Sequence, residues 1–226
     1  MTLDVPSIFI RIYEQGDSNL VNQSDEFFQP DEGTQAKYDE EYRMLHLCTG
    51  ALEGLCSITI REDVRNQSVD ATTAMDPFDR NMVRAAYAMA DEVDLWSPES
   101  LEQVHGVMYP EGPGMREGAA DELKILFDRC FMSNLPMSML AAISHNGILR
   151  IRPFDEGNGI LARMWYSELL GRSFKTFQYI SPEAEFLRTR DEYEALISNP
   201  EDLKGFVDYS LDCDREALSR LFGSMW

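Results

Sequence analysis

Apolar positions along this chain recur mainly at helical spacing. Tyr42, Leu45, Leu47, Leu52 and Leu55 fall close to a period of about 3.6 residues. That run opens near Ala36 and stops before the β-branched Ile58-Thr59-Ile60. Asp76-Pro77 opens a second segment, in which Met82, Ala85, Ala86, Met89 and Val93 repeat at three- and four-residue steps. Ser97-Pro98-Glu99-Ser100 then predicts a helix start, with Pro in the first turn and an acid beside the positive end of the helix dipole. Leu101, Val104, Val107 and Met108 continue the stripe until Pro110-Glu111-Gly112-Pro113-Gly114 breaks it. Further helices are expected over Ala120–Phe131, Pro136–Ile151 and Asn158–Leu170, with two more beginning near Ser181-Pro182 and Pro200. The opening residues, 1–34, hold one short β-like run (Ile8 to Tyr13) and a polar stretch with Pro30, which predicts an arm or small hairpin. Strands this few and short cannot build a sheet core, so the expected fold class is all-α.

Composition narrows the range of functions. The 226 residues are 44% apolar, enough for a sizeable core. Forty acidic residues against 20 basic give a formal charge of -20. Such a surface repels phosphate backbones and anionic lipid, so neither nucleic acid nor membrane is an expected partner. It suits solubility or a basic protein partner. Four cysteines (Cys48, Cys56, Cys130, Cys213) show no CxxC spacing and no zinc-like arrangement with His46, His105 or His145, so buried, reduced thiols are expected. No signal-peptide pattern opens the chain and no apolar run is long enough to span a bilayer. The expected compartment is the cytoplasm of a bacterium. Composition is also compatible with export as an effector by a specialised machine that reads no such signal.

The stretch richest in chemistry is Arg152-Pro153-Phe154-Asp155-Glu156-Gly157-Asn158-Gly159, between two strongly apolar helical segments. Pro153 disfavours helical backbone at Arg152 and ends the first helix there. Gly157 and Gly159 let the chain turn tightly and approach a ligand. Asn158 is expected to cap the next helix. The free N–H groups of that helix start would make a phosphate cradle, which Arg163, one turn on, could also reach. Glu156 adds an oxygen ligand, and a carboxylate beside a phosphate is a common way to hold Mg²⁺. The same residues also fit an ordinary helix–loop–helix turn.

From Ala141 to Arg163 the chain reads AAISHNGILRIRPFDEGNGILAR. This resembles the Fic signature HPFx(D/E)GNGRxxR with its preceding helix, and Pro153, Phe154, Glu156, Gly157, Asn158, Gly159 and Arg163 match in register. The segment from Arg80 to Tyr109 is similar to the upstream helices of the Fic core, and the resemblance covers roughly residues 36 to 175. It implies a helical Fic-fold bundle, with an arm over 1–34, an N-terminal helical segment over 35–66, and the Fic core with C-terminal helices over 67–226. It further implies a nucleotide site at Phe154, Gly157, Asn158, Gly159 and Arg163. Catalytic positions would be Arg152, Glu156, Asn158 and Arg163, and Glu156 would hold the metal. Mg²⁺ with ATP or another nucleotide are the implied cofactors, and a protein is the implied partner.

Two positions depart from the signature. Its histidine is Arg152 and its first arginine is Ile160. In Fic enzymes that histidine takes the proton from a target hydroxyl as AMP is transferred. Arginine stays protonated and cannot do so. His145 lies seven residues before Arg152 in the same predicted helix. That is about 10 Å along the axis, too far to substitute, and His145 is expected in the core or behind the site. The hairpin flap usual between the upstream helices and the signature looks shortened or missing, since Gly114–Gly118 runs almost directly into the helix at Ala120.

Thr49-Gly50-Ala51-Leu52-Glu53-Gly54 resembles the family's inhibitory motif (S/T)xxxE(G/N). It implies an inhibitory role for Thr49, Glu53 and Gly54, with Glu53 facing Arg163, although an acid ahead of a glycine cap reads the same way. The expectation is therefore a pseudoenzyme: a Fic transferase scaffold, built for AMP transfer to protein hydroxyls, that binds or regulates without ordinary AMP transfer. The alternatives are a transferase of altered donor (nucleotide-sugar, phosphocholine or another phosphate-linked group) and a weak protein adenylyltransferase. Oligomeric state and target are not legible in the sequence.

Overall fold

The computed structural model describes residues 93–178, 182–199 and 201–222. The expected arm, the N-terminal helical segment, the helix opening at Asp76-Pro77 and the Thr49, Glu53 and Gly54 motif lie outside the described residues, apart from Val93.

The described residues are all-helical, without strands. The helices are α1 (Pro98–Met108), α2 (Ala119–Phe131), α3 (Met137–Ile151), α4 (Asn158–Ser173), α5 (Glu183–Arg188), α6 (Arg190–Ile197) and α7 (Leu203–Phe222), with a 3-10 turn at Lys175–Gln178 after α4. The start of α1 follows from its sequence. Ser97 adopts extended backbone, its hydroxyl accepts from the Ser100 amide at 3.3 Å, and Pro98 takes a first-turn position where no N–H is needed.

α3 and α4 form the centre and pack most extensively on each other, while α2 and α7 also cover α3. Every α3 residue from Ser138 to Ile148 is buried, and α4 is buried on all sides from Ile160 to Gly171. A helix enclosed all round needs no polar face, which explains why α4 carries no amphipathic stripe. Leu126 of α2 sits against Gly147, where an added Cβ would lie 2.4 Å from Leu126 Cδ2. Phe127 stacks near Trp165 at 6.2 Å between ring centroids, and the Trp165 indole donates to the Leu95 carbonyl at 3.0 Å. These contacts tie the segment before α1 to the middle of α4.

The C-terminal part departs from the sequence expectation. Where two helices were expected, three are present, because the chain breaks at Thr189 (φ -105°, ψ 36°). The Thr189 hydroxyl donates to the Glu185 carbonyl at 2.8 Å and lies 2.7 Å from the Tyr209 hydroxyl. A threonine that binds back onto its own turn competes with helix propagation. Cys130 and Cys213 are free and buried, and burial pushes their thiols up to about 11 and about 12. They are poor nucleophiles near neutral pH.

Candidate functional site

The glycine-rich loop joins the two central helices, so its ends are fixed by the most enclosed elements of the fold. α3 ends at Arg152, whose amide still donates to Ile148 O at 2.9 Å. Arg152 has left-handed backbone (φ 49°, ψ 65°), a conformation that costs a non-glycine residue roughly 1–2 kcal/mol. Its side chain is exposed, and its guanidinium makes no hydrogen bond or ion pair among the described residues.

Asn158 is not the cap expected from the sequence. Gly157, at φ 76°, holds the N-cap position of α4, and Asn158 is the first helical residue. Its side chain turns back across the loop instead. Asn158 Oδ1 accepts from the Phe154 amide at 3.0 Å, and its Nδ2 donates to the Phe154 carbonyl at 2.7 Å. Both backbone groups of a buried residue are thereby satisfied by one amide. The correction is physical: with glycine free to take the left-handed cap, the amide is released for the loop. α4 has no side-chain cap, and its first backbone bond runs from Leu161 N to Gly157 O at 3.0 Å. The amides ahead of Leu161 have no intrahelical acceptor.

The loop rests on α1 through residues that the sequence did not single out. The Phe154 ring stacks on His105 with centroids 3.7 Å apart and planes within 2°, and Tyr109 stacks on His105 at 4.9 Å. His105 Nε2–H donates to the Glu156 carbonyl at 3.1 Å. Burial lowers the pKa of His105, opposed by that carbonyl and by the nearby Glu156 and Glu102 charges. Gly157 abuts the Tyr109 ring so closely that a Cβ would sit 2.4 Å from it. His105, in the last turn of α1, and Tyr109, which caps it, are four residues apart, which sequence spacing makes visible, but their target lies some fifty residues on. The side chains of Asp155 and Glu156 are exposed.

Arg163 and Ile160 occupy the inner side of α4. Ile160 is fully buried in the core. Arg163 is also fully buried; its Nη1 donates to the Tyr193 hydroxyl at 2.9 Å, and its guanidinium lies 5.5 Å from the Tyr193 ring centroid. His145 Nε2 is 3.0 Å from the same hydroxyl. Arg163 can only donate, so the tyrosine oxygen accepts from it and its own proton is available to a neutral His145. His145 sits among the rings of Tyr166, Phe186, Tyr193 and Phe206, a core position as expected. The link from Arg163 to α6 was not legible, because Tyr193 lies thirty residues away in the chain.

No strand occurs between α1 and α2: residues 109–118 form turns and irregular backbone. No cluster of three or more His, Cys, Asp or Glu that could hold a metal occurs among the described residues. Among them also, no helix is long and apolar enough to cross a membrane.

The site is thus a glycine loop that joins the two central helices of a helical bundle and is held shut by its own asparagine. Residues 79–170 match the model of the Fic/DOC family, and the chain carries a Fic/DOC family domain there. Among curated proteins it is similar to protein adenylyltransferase fic-1 from Caenorhabditis briggsae, 29% identical over 147 residues. That match takes in 64% of this chain but only 28% of the relative's length. Among solved structures, a Fic family protein from Desulfovibrio desulfuricans superposes with a TM-score of 0.70 at 19% identity, covering 99% of this chain and 76% of that one. A variant form of Fic-1 from C. elegans gives a TM-score of 0.70 at 21% identity, covering 96% and 74%. At such identity the two structures establish the fold.

Proposed function

We propose that this chain is a Fic-fold pseudoenzyme whose loop keeps the frame of a nucleotide-phosphate site and has lost the group that performs AMP transfer. The observation that carries the reading is Arg152. It occupies the place of the signature histidine, with an exposed guanidinium on left-handed backbone. A general base typically supplies a rate factor of about 10²–10⁴, roughly 3–5 kcal/mol of barrier. A permanently charged guanidinium cannot supply it. The frame for binding is kept in this reading: Gly157 turns the chain, Asn158 closes the loop on Phe154, and the first amides of α4, which have no acceptor within the helix, favour an anion. Glu156, exposed beside Gly157, is the carboxylate that would hold Mg²⁺ with the phosphates supplying the remaining oxygens, a mode that needs no larger acidic cluster. Bound there, the metal would neutralise phosphate charge. A protein partner and control by Glu53 belong to the same reading.

A second reading, transfer from a different phosphate-linked donor, is favoured by the same residue. An exposed cation on costly backbone suits an electrostatic clamp on a diphosphate.

Calorimetry with ATP, GTP and nucleotide-sugars in the presence of Mg²⁺, on the wild type and on Glu53→Gly, separates these readings. Binding without turnover, tightened by Glu53→Gly, is the expected result. Transfer of a labelled group from a nucleotide-sugar would establish the second reading instead. Incorporation of labelled AMP into any protein, abolished by Arg163→Ala, would overturn the pseudoenzyme. Silence from both proteins would leave a vestigial site and turn attention to protein partners.

A further inference from the structure

The ten residues between α1 and α2 carry a contact that neither the signature nor the function above accounts for. Arg116 lies in this segment with its side chain over the C-terminal end of α3. Its Nη2 donates to Ile151 O at 2.6 Å, and its Nε reaches Ile151 O at 3.2 Å and Arg152 O at 3.1 Å. Its own backbone amide donates to Pro153 O at 2.8 Å. One residue thus takes three consecutive carbonyls across the end of α3 and the start of the loop. The last carbonyls of a helix have no intrahelical donor, and a guanidinium is the side chain best shaped to serve two of them at once.

The segment is held on its other edge as well. Glu102 of α1 accepts from the Met115 amide at 2.9 Å, and a Cβ at Gly114 would meet the same carboxylate at 2.8 Å. Glu122 of α2 pairs with Arg116 at 3.0 Å. Residues 114–116 therefore form a strap pinned to α1, α2 and the loop.

We propose that Arg116 is a positioning residue for Arg152. By binding the carbonyls on both sides of the left-handed residue, it holds that backbone in place and sets the direction in which the Arg152 guanidinium leaves the fold. The consequence for ligand binding rests on the nucleotide-site reading above; the hold on the backbone does not. Arg152 is the one non-glycine residue with positive φ among those described, and a conformation this costly persists only where its surroundings impose it. Arg116 supplies four hydrogen bonds, to three carbonyls, that do so.

The test compares wild type, Arg116→Ala and Arg116→Lys on the full chain, by backbone NMR shifts at Arg152 and amide exchange at Arg152 and Phe154. In Arg116→Ala, the Arg152 shifts move away from left-handed values and exchange at both amides quickens by about tenfold or more. Amides in α7 hold their rates. Arg116→Lys, which can still serve one carbonyl, falls between the two. Should the alanine variant not fold, the lysine variant against Arg116→Gln carries the same comparison. Unchanged Arg152 shifts with unchanged local exchange would overturn the proposal, as would acceleration spread evenly over all helices. Calorimetry with Mg²⁺-ATP is run in parallel. A wild type that binds no nucleotide would sink the nucleotide reading and leave the shifts to judge Arg116.

Discussion

Asn158 holds the candidate site together at the scale of a single side chain. Its amide satisfies both the N–H and the carbonyl of Phe154, at 3.0 and 2.7 Å, and all of these groups are buried. Replacing it by alanine removes both partners and lets no water in easily. Leaving a buried backbone group unsatisfied costs about 1–3 kcal/mol. Asn158→Ala should therefore lower the stability of the chain by about 2 kcal/mol or more, read as a shift in urea midpoint. A loss below about 0.5 kcal/mol would mean that the amide does not lock the loop. Because Phe154 also stacks on His105 and His105 holds the Glu156 carbonyl, the loss should extend to α1 and be visible as quicker exchange at its C-terminal end.

At the scale of elements, the α2–α3 crossing is set by the absence of a side chain at Gly147. The space a Cβ would need is already filled by Leu126, whose Cδ2 would be 2.4 Å away and its Cδ1 2.9 Å away. Gly147→Ala gains helix propensity but must push the helices apart or force Leu126 off its rotamer. Overpacking of this kind costs about 1–3 kcal/mol, more than the gain of roughly 1 kcal/mol from replacing a helical glycine. The variant should be destabilised, and Leu126→Ala should cost less in the Gly147→Ala chain than in the wild type. Additive losses in the double variant would show that the two residues do not compete for one space.

What could be read in advance divides along the same lines. The start of α1 was legible because Ser97 and Pro98 act on their own turn, and the loop was legible because its glycines and Pro153 act locally. The identity of the α4 cap was not, since Asn158 and Gly157 both suit that position and only the route of the loop decides between them. The break at Thr189 depends on a side chain bonding to its own turn and reaching Tyr209 of α7. His105, Arg116 and Tyr193 act on loop or helix positions dozens of residues away, and no spacing rule reports contacts of that kind.

For the molecule as a whole, the buried ionisable groups decide how the fold responds to pH. His145 is fully enclosed, and its pKa is held well below the ordinary histidine range, first by burial and then by the charge of Arg163. His105 is lowered in the same direction. A histidine kept neutral in the fold contributes stability that is complete above the unfolded value, near pH 6.5, and is lost as pH falls toward the folded value. Each such group lowers stability by up to about 1.4 kcal/mol per pH unit in that interval. Asp214 acts oppositely. Burial raises its pKa well above the usual carboxylate range, although it accepts from the Tyr166 hydroxyl at 2.7 Å. Its contribution is complete at low pH and is lost as pH rises through the folded value. Between about pH 4 and 6.5 the two histidines therefore oppose one aspartate. Stability of the wild type should decline on acidification over this range. His145→Phe, which keeps an aromatic among Tyr166, Phe186 and Phe206, should flatten the decline. Asp214→Asn removes the opposing group and should steepen it, while raising stability near pH 7.5. Urea unfolding of the three proteins across this interval checks the ordering. A wild-type stability that rises on acidification would mean that Asp214 outweighs the histidines, and an Asp214→Asn profile parallel to the wild type would mean that Asp214 takes no part in the pH response of the core.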